Sequence, residues 1–123
     1  MKNQFVLTNQ SKPDNADLEI RICLDFFSRL MGYMFHRPIG EREGILLSYP
    51  RESRLESSIH MLFMNFDLAV IWLNGEFKVV DKTLARRWRL FYASSKPAGH
   101  VLEIHPKHLD TISIGDQLVV KHA

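Results

Sequence analysis

Apolar and polar residues alternate with a period of two in several short stretches of this chain. Leu18, Ile20, Ile22 and Leu24 alternate with Glu19, Arg21, Cys23 and Asp25, which predicts a half-buried strand. The most apolar run is Ser58 to Asn74, and it predicts strands over 57–66 and 68–73. Asn74-Gly75 between apolar runs is a strong hairpin signal. It predicts that Leu68–Leu73 pairs antiparallel with Glu76–Asp81. Gly44 to Tyr49 is a short apolar strand closed by Pro50. Trp88, Leu90 and Tyr92 alternate with Arg87, Arg89 and Phe91, which predicts a strand with Trp88 facing inward and the arginines outward. Gly99 to His105, ended by Pro106, and Gln117 to Val120 complete the strand set. Ser28–Phe35 is denser in apolar residues and predicts a short helix capped by Asp25 or Ser28, weakened by Gly32. Many short strands with one short helix predict a mainly β fold, an antiparallel β-sandwich or partly open barrel.

The chain has 123 residues, 46% of them hydrophobic, enough for one domain with one real core. Residues 1–17 read as an N-terminal strand and loop whose turn-rich composition leaves room for flexibility, and 18–123 as a single β-rich domain. One cysteine, Cys23, excludes an internal disulfide and a cysteine-based zinc site. No apolar stretch approaches the roughly 20 residues of a membrane helix. The N-terminus lacks the apolar core of a signal peptide. The expectation is a soluble cytoplasmic protein. A formal charge of +2 argues against nucleic acid as the main partner. Sheet edges in so small a domain are compatible with a homodimer.

Five segments together resemble the domain of unknown function 192 family. They are Arg29-Leu-Met-Gly-Tyr-Met-Phe-His-Arg37, Gly44-Ile-Leu-Leu47, Ser58-Ile-His-Met-Leu-Phe-Met64, Val101-Leu-Glu-Ile104 and Gly115-Asp116. Trp88-Arg89 is similar to a Trp-Arg pair that some members carry. Two places depart from the family pattern. Asp67-Leu-Ala-Val70 stands where the family has Pro-Ile-Asp-Val, so the family's Asp is Ala69 here. His105-Pro-Lys107 stands where it has Pro-Ala-Gly. The resemblance implies a compact β-rich fold and no particular reaction, since the family has no established one.

Several constellations could carry chemistry. Met31, Met34, His36, His60, Met61 and Met64 are ligand types that suit copper(I). On a strand, however, His60 and Met64 lie about 13 Å apart, and the plainer reading is a core filled by flexible thioethers. Neither a metal nor a cofactor is implied. For hydrolysis the candidates are Ser58 or Ser94 as nucleophile, His60 or His100 as base, and Glu103 or Asp116 as orienter. Their spacing assembles no triad, and no Gly-x-Ser-x-Gly elbow is present. Arg86-Arg-Trp-Arg-Leu-Phe-Tyr92 interleaves cations with aromatics, as single-stranded nucleic acid requires. A half-buried strand with a solvated arginine face accounts for it equally. Arg29, Arg37, His60, Glu103 and Asp116 remain as candidate ligand-binding residues, with arginine suited to an anionic group.

The reading is therefore a non-catalytic accessory domain that binds a small ligand or a protein partner. Two alternatives stand beside it. One is a hydrolase-like enzyme using His60 with Glu103 or Asp116. The other is single-stranded nucleic-acid binding through Arg86–Arg89.

Overall fold

A computed structural model describes residues 5–24, 39–59, 61, 66–89 and 91–123. Seven strands form one sheet: β1 (Phe5–Asn9), β2 (Leu18–Cys23), β3 (Glu43–Ser53), β4 (Leu68–Leu73), β5 (Val79–Ala85), β6 (Ala98–Ile104) and β7 (Leu118–His122). Their order across the sheet is β5-β4-β6-β3-β2-β1-β7. The mainly β reading holds. A 3-10 helix, Pro106–Asp110, follows β6. The helix predicted over Ser28–Phe35 lies outside the described residues.

The sheet is mixed. β2 and β3 run parallel, with Arg21 opposite Ile45 and Cys23 opposite Leu47, while the other neighbours are antiparallel. A parallel pair needs a crossover of a dozen or more residues, and residues 24–42 supply that length. Hairpin signals cannot announce such a pair. The strand over Gly44–Tyr49 also runs on past Pro50 to Ser53. Its pairing with β6 shifts register between Ser48 and Ser53, so the missing proline N–H falls in the interval between paired residues.

The strand register assigns side chains to two faces, and both are apolar. One face carries Leu7, Leu18, Ile20, Leu46, Ala69, Ile71, Leu73, Leu102, Ile104 and Leu118. The sheet curls around this face. Lys78 and Gln117, beside its opposite edges, form a bridge, supported by Val79 N donating to Asp116 O and Leu118 N donating to Phe77 O. The edges meet there without closing a barrel. Lys82 Nζ donates to the carbonyls of Leu109 and Ile112, tying the segment after β6 over the concave core.

The outer face carries Cys23, Ile45, Leu47, Val70, Trp72, Ala85 and Val101, packed with Ile39, Ile59, Met61 and Phe66. Trp72 is its anchor, 1% exposed, and its ring N–H donates to Ser57 O at 2.9 Å. That bond spends the one polar atom of a large buried ring on holding the segment that packs over the outer face.

The Asn74-Gly75 hairpin forms, but Leu68–Leu73 pairs antiparallel with Val79–Ala85 where Glu76–Asp81 was expected, through a turn longer than two residues. Asn74 N donates to Lys78 O and Phe77 N to Asn74 O, while Asn74 Oδ1 accepts from Glu76 N and Lys78 N. The left-handed position is Phe77, at φ +64°. A bulky residue there is strained. The Phe77 ring lies stacked on His100, 4.2 Å between centroids, which offsets part of the strain.

The strand predicted over 87–92 is corrected. Arg87 and Trp88 lie in a turn, with Trp88 at φ +65° and 51% exposed. A left-handed residue cannot continue a strand, so the alternation fails as a guide to facing at this point. Tyr92 alone bridges Ile59, and Met61 exchanges backbone bonds with Trp88 and Arg89. Of the strand predicted over 57–66, the described residues include Ser57–Ile59, Met61 and Phe66.

Candidate functional site

The sequence left Glu103 free to face water or an arginine. β6 places it between Ile45 of β3 and Val70 of β4, on the outer face beside Val101. It is 6% exposed. Among the described residues, no side chain or backbone group donates a hydrogen bond to its carboxyl. Burial therefore acts without compensation, and it pushes the carboxyl pKa up to about 7. At neutral pH the group spends much of its time as a carboxylic acid. It can then donate one hydrogen bond and accept another.

Asp116 has the opposite surroundings. Gly115 takes φ +95°, a conformation open to glycine, and turns the chain so that the Asp116 side chain enters the structure. One carboxylate oxygen, Oδ2, accepts from Asn9 Nδ2 at 2.9 Å, Lys12 Nζ at 2.5 Å and Ser113 N at 2.9 Å. Asn9 Oδ1 in turn accepts from Ser11 N and Lys12 N. Partial burial favours the neutral acid. The bonds from Asn9, Lys12 and Ser113 and the Lys12 charge outweigh it and hold the pKa below the ordinary carboxylate value. This is a clasp between the loop after β1 and the turn before β7. Its donors are already committed, which gives Asp116 a structural role.

The other predicted residues divide as follows. Arg29, Arg37 and His60 lie outside the described residues, as do Met31, Met34, His36 and Met64. Met61 fills the outer core, 1% exposed. Ser94 is fully buried and its Oγ accepts from Lys96 N. The Ser58 hydroxyl donates to Leu55 O. Glu103 and Asp116 share no partner. The concave-face register position His100 pairs with a serine that spacing did not suggest, Ser48, with Nδ1 and Oγ 2.8 Å apart. The two are register partners on β3 and β6, strands whose adjacency nothing local in the sequence encodes. Desolvation lowers the His100 pKa, partly countered by Glu52, so the ring is neutral at neutral pH. Ala69, where the resembled family carries Asp, is fully buried in the concave core between Ile104 and Leu84. That position adds no carboxylate here, and the concave core stays apolar around it.

Among the described residues, no three His, Cys, Asp or Glu side chains are placed to hold a metal ion. No helix of the described residues is long and apolar enough to cross a membrane.

Comparison with known proteins sets this geometry in a family. A crystal structure of a proposed transcription regulator from Sinorhizobium meliloti matches with a TM-score of 0.84 over 98% of this chain and 94% of that one, at 19% identity. A protein of unknown function from Novosphingobium aromaticivorans matches with a TM-score of 0.78 over 94% and 83%, at 18% identity. At such identities the likeness shows the fold. Sequence relatives are nearer. A UPF0127 protein of Pyrococcus furiosus is 33% identical over 91% of this chain and 95% of its own length. Another, from Pyrococcus abyssi, is 30% identical over 92% and 95%. The profile of the domain of unknown function 192 family, described as "Uncharacterized ACR", matches residues 7–120, and the chain belongs to that family.

Proposed function

We propose that this chain is a non-catalytic binding domain for a small ligand, with Glu103 as the polar centre of the site. One observation carries the reading: Glu103, 6% exposed, sits between Ile45 and Val70 on an apolar sheet face, and among the described residues no group donates a hydrogen bond to its carboxyl. Apolar surroundings disfavour the ionised form of such a group. A ligand that hydrogen-bonds its neutral form stabilises the folded chain on binding. The chemistry that fits a neutral carboxylic acid in apolar surroundings is an apolar body with a donor and an acceptor side by side, as in a carboxamide. The absence of catalysis in this reading rests on the separation of the acid and base groups. Glu103 faces outward from the sheet, His100 inward, and Asp116 is engaged by its clasp.

The test is a screen of carboxamide and other amphipathic fragments against the full chain at pH 6, read by thermal shift and by heteronuclear NMR. Glu103→Leu serves as the control, because leucine fills a similar volume without the carboxyl. Fragments that raise the melting temperature of the natural chain and not of Glu103→Leu support the site. Fragments that bind both proteins alike, or no fragment binding at all, would overturn it.

A further inference from the structure

We propose that Asn74-Gly75 is a self-modifying site, where the Gly75 backbone nitrogen attacks the Asn74 side chain and converts it through a succinimide to aspartate and isoaspartate. Asn74 is the one asparagine of the chain that glycine follows. Glycine has no Cβ to obstruct a close approach to its backbone. In the fold the dipeptide stands in the turn between β4 and β5, with Asn74 half-buried and Gly75 exposed. The dipeptide alone would be a chemical liability of any chain. The groups placed around it make it a site.

The reaction has two needs, and a different part of the fold meets each. The attacking nitrogen must lose its proton. Gly75 N donates to Glu52 Oε2 at 2.7 Å, so a carboxylate base already holds that proton. Glu52 reaches the turn because β3 runs on past Pro50 to Ser53. Gly99 of β6 lies against the same turn, where a Cβ would stand 3.6 Å from both Gly75 N and Glu52 Cγ. The carbonyl under attack must carry negative charge in the tetrahedral intermediate. Asn74 Oδ1 accepts from Glu76 N at 2.9 Å and from Lys78 N at 3.0 Å. Two backbone donors aimed at this oxygen stabilise the charge that develops on it. The same bonds fold the carboxamide back over its own turn. Asn74 N donating to Lys78 O and Phe77 N to Asn74 O hold the backbone beneath it, which keeps the reacting groups together.

The proton count closes with water as the only co-reactant. Glu52 takes the Gly75 proton as the bond from that nitrogen to Asn74 Cγ forms, and the carbonyl electron pair moves onto Oδ1. Return of the pair expels Nδ2, which takes the proton from Glu52 and leaves as ammonia. The Glu52 carboxylate is thereby restored. Water then opens the succinimide at either carbonyl, giving aspartate or isoaspartate. Both products put a second carboxylate beside Glu52, and isoaspartate also adds a methylene to the main chain. That lengthening falls in the turn that holds Phe77 at φ +64° with its ring stacked on His100.

The experiment incubates the full chain at pH 7 in heavy-oxygen water and follows the peptide containing Asn74 by mass spectrometry, with fragmentation that separates aspartate from isoaspartate. The reference is the same chain held unfolded in guanidinium chloride at the same pH, because a fold that merely restrains the backbone slows this reaction. The folded chain is expected to incorporate label at Asn74 at least as fast as the unfolded one. Glu52→Gln keeps the shape and a hydrogen-bond acceptor for Gly75 N and removes the base. Since Glu52 is exposed, it is expected to slow the folded chain about tenfold, below the usual range for a well-sequestered base. The unfolded rate should not change. A folded natural chain that reacts more slowly than the unfolded one would overturn the proposal, and that comparison needs no variant. Equal folded rates for the natural chain and Glu52→Gln would also overturn it.

Discussion

Two carboxyl groups have little contact with solvent, Glu103 at 6% and Asp116 at 7% exposure, but Glu103 lies deep under the outer face and Asp116 near the surface, and they behave in opposite ways. Asp116 accepts three hydrogen bonds on one oxygen, from an amide, an ammonium and a backbone N–H. Its pKa falls. Glu103 has apolar strand neighbours, Ile45 and Val70, and its pKa rises. Low exposure alone therefore does not assign a role to an acidic residue. Depth and the supply of donors together do. The region around Asp116 is complete in itself and holds the loop after β1 to the turn before β7, whereas the region around Glu103 lacks a polar partner among the described residues.

The sharpest way to break this comparison is to remove Asp116. In Asp116→Ala the Asn9 amide and the Lys12 ammonium lose their acceptor, and the Asn9 side chain is itself in a buried position. Losing three hydrogen bonds to a charged acceptor, one of them leaving the buried Asn9 amide without its partner, costs about 3 kcal/mol. Urea denaturation at pH 7 should show a lower midpoint with little change in slope. If Asp116→Ala were as stable as the natural chain, the clasp would not be what holds the loop after β1 to the turn before β7.

The second effect is a pH dependence, and the two carboxyls give it opposite signs. Glu103 has a folded pKa raised from 4.5 to about 7. Its favourable contribution is thus present below about pH 4.5 and is lost as pH rises toward and through 7. The full loss for a shift of that size is about 3 kcal/mol. Asp116 has a depressed folded pKa. Its contribution is present above about pH 4 and is lost as pH falls through the depressed value. Glu103→Gln keeps the shape and removes the titration. Denaturation at pH 5 and pH 8 should show the natural chain losing stability relative to Glu103→Gln across that window. Equal pH profiles for the two proteins would show that Glu103 is solvated or paired in solution.

These two residues also mark how far the sequence could be read. Gly115-Asp116 was legible as a turn, because glycine before aspartate announces one. The donors to Asp116 were not, since Asn9 and Lys12 come from the opposite end of the chain and meet it only when β1 pairs with β7. Val101-Leu-Glu-Ile104 was legible as a strand, yet a sheet with two apolar faces removes the usual rule that the polar residue of an alternating strand faces water. The hairpin at Asn74-Gly75 was legible from its dipeptide. Its left-handed residue, Phe77, was not, because the stack on His100 that accompanies it is a tertiary contact. Trp88 misled for a related reason. A single left-handed residue resets facing, and no composition rule places a left-handed backbone at tryptophan.

A smaller change tests whether the clasp depends on backbone conformation as well as on charge. Gly115 has φ +95° and open space where a Cβ would stand, so an alanine there meets no steric neighbour and only the backbone strain remains. Gly115→Ala is expected to cost about 1 kcal/mol, less than Asp116→Ala, with the pH profile of the clasp retained. A cost equal to that of Asp116→Ala would mean that the turn, and not the carboxylate, sets the position of β7.

The smallest effect separates charge from hydrogen bonding within the clasp. Lys12 lies 2.5 Å from Asp116 Oδ2, but its side chain is 35% exposed against 10% for the aspartate. Solvent screens such a pair, so its contribution is about 0.5 kcal/mol. Lys12→Met keeps the aliphatic stem that lies along the surface and removes the ammonium. The Asn9 and Ser113 donors remain in place, so the folded protein should survive with nearly its full stability at pH 7. Its loss should shrink further in high salt, where the pair is already screened in the natural chain. Acid unfolding gives the more telling measurement. Without the ammonium the Asp116 pKa rises toward its ordinary value, and the acid limb of the stability curve should move to higher pH. An acid limb that does not move would assign the depressed pKa to the neutral donors alone, and the contrast with Glu103 would then rest on hydrogen bonds without any contribution from charge.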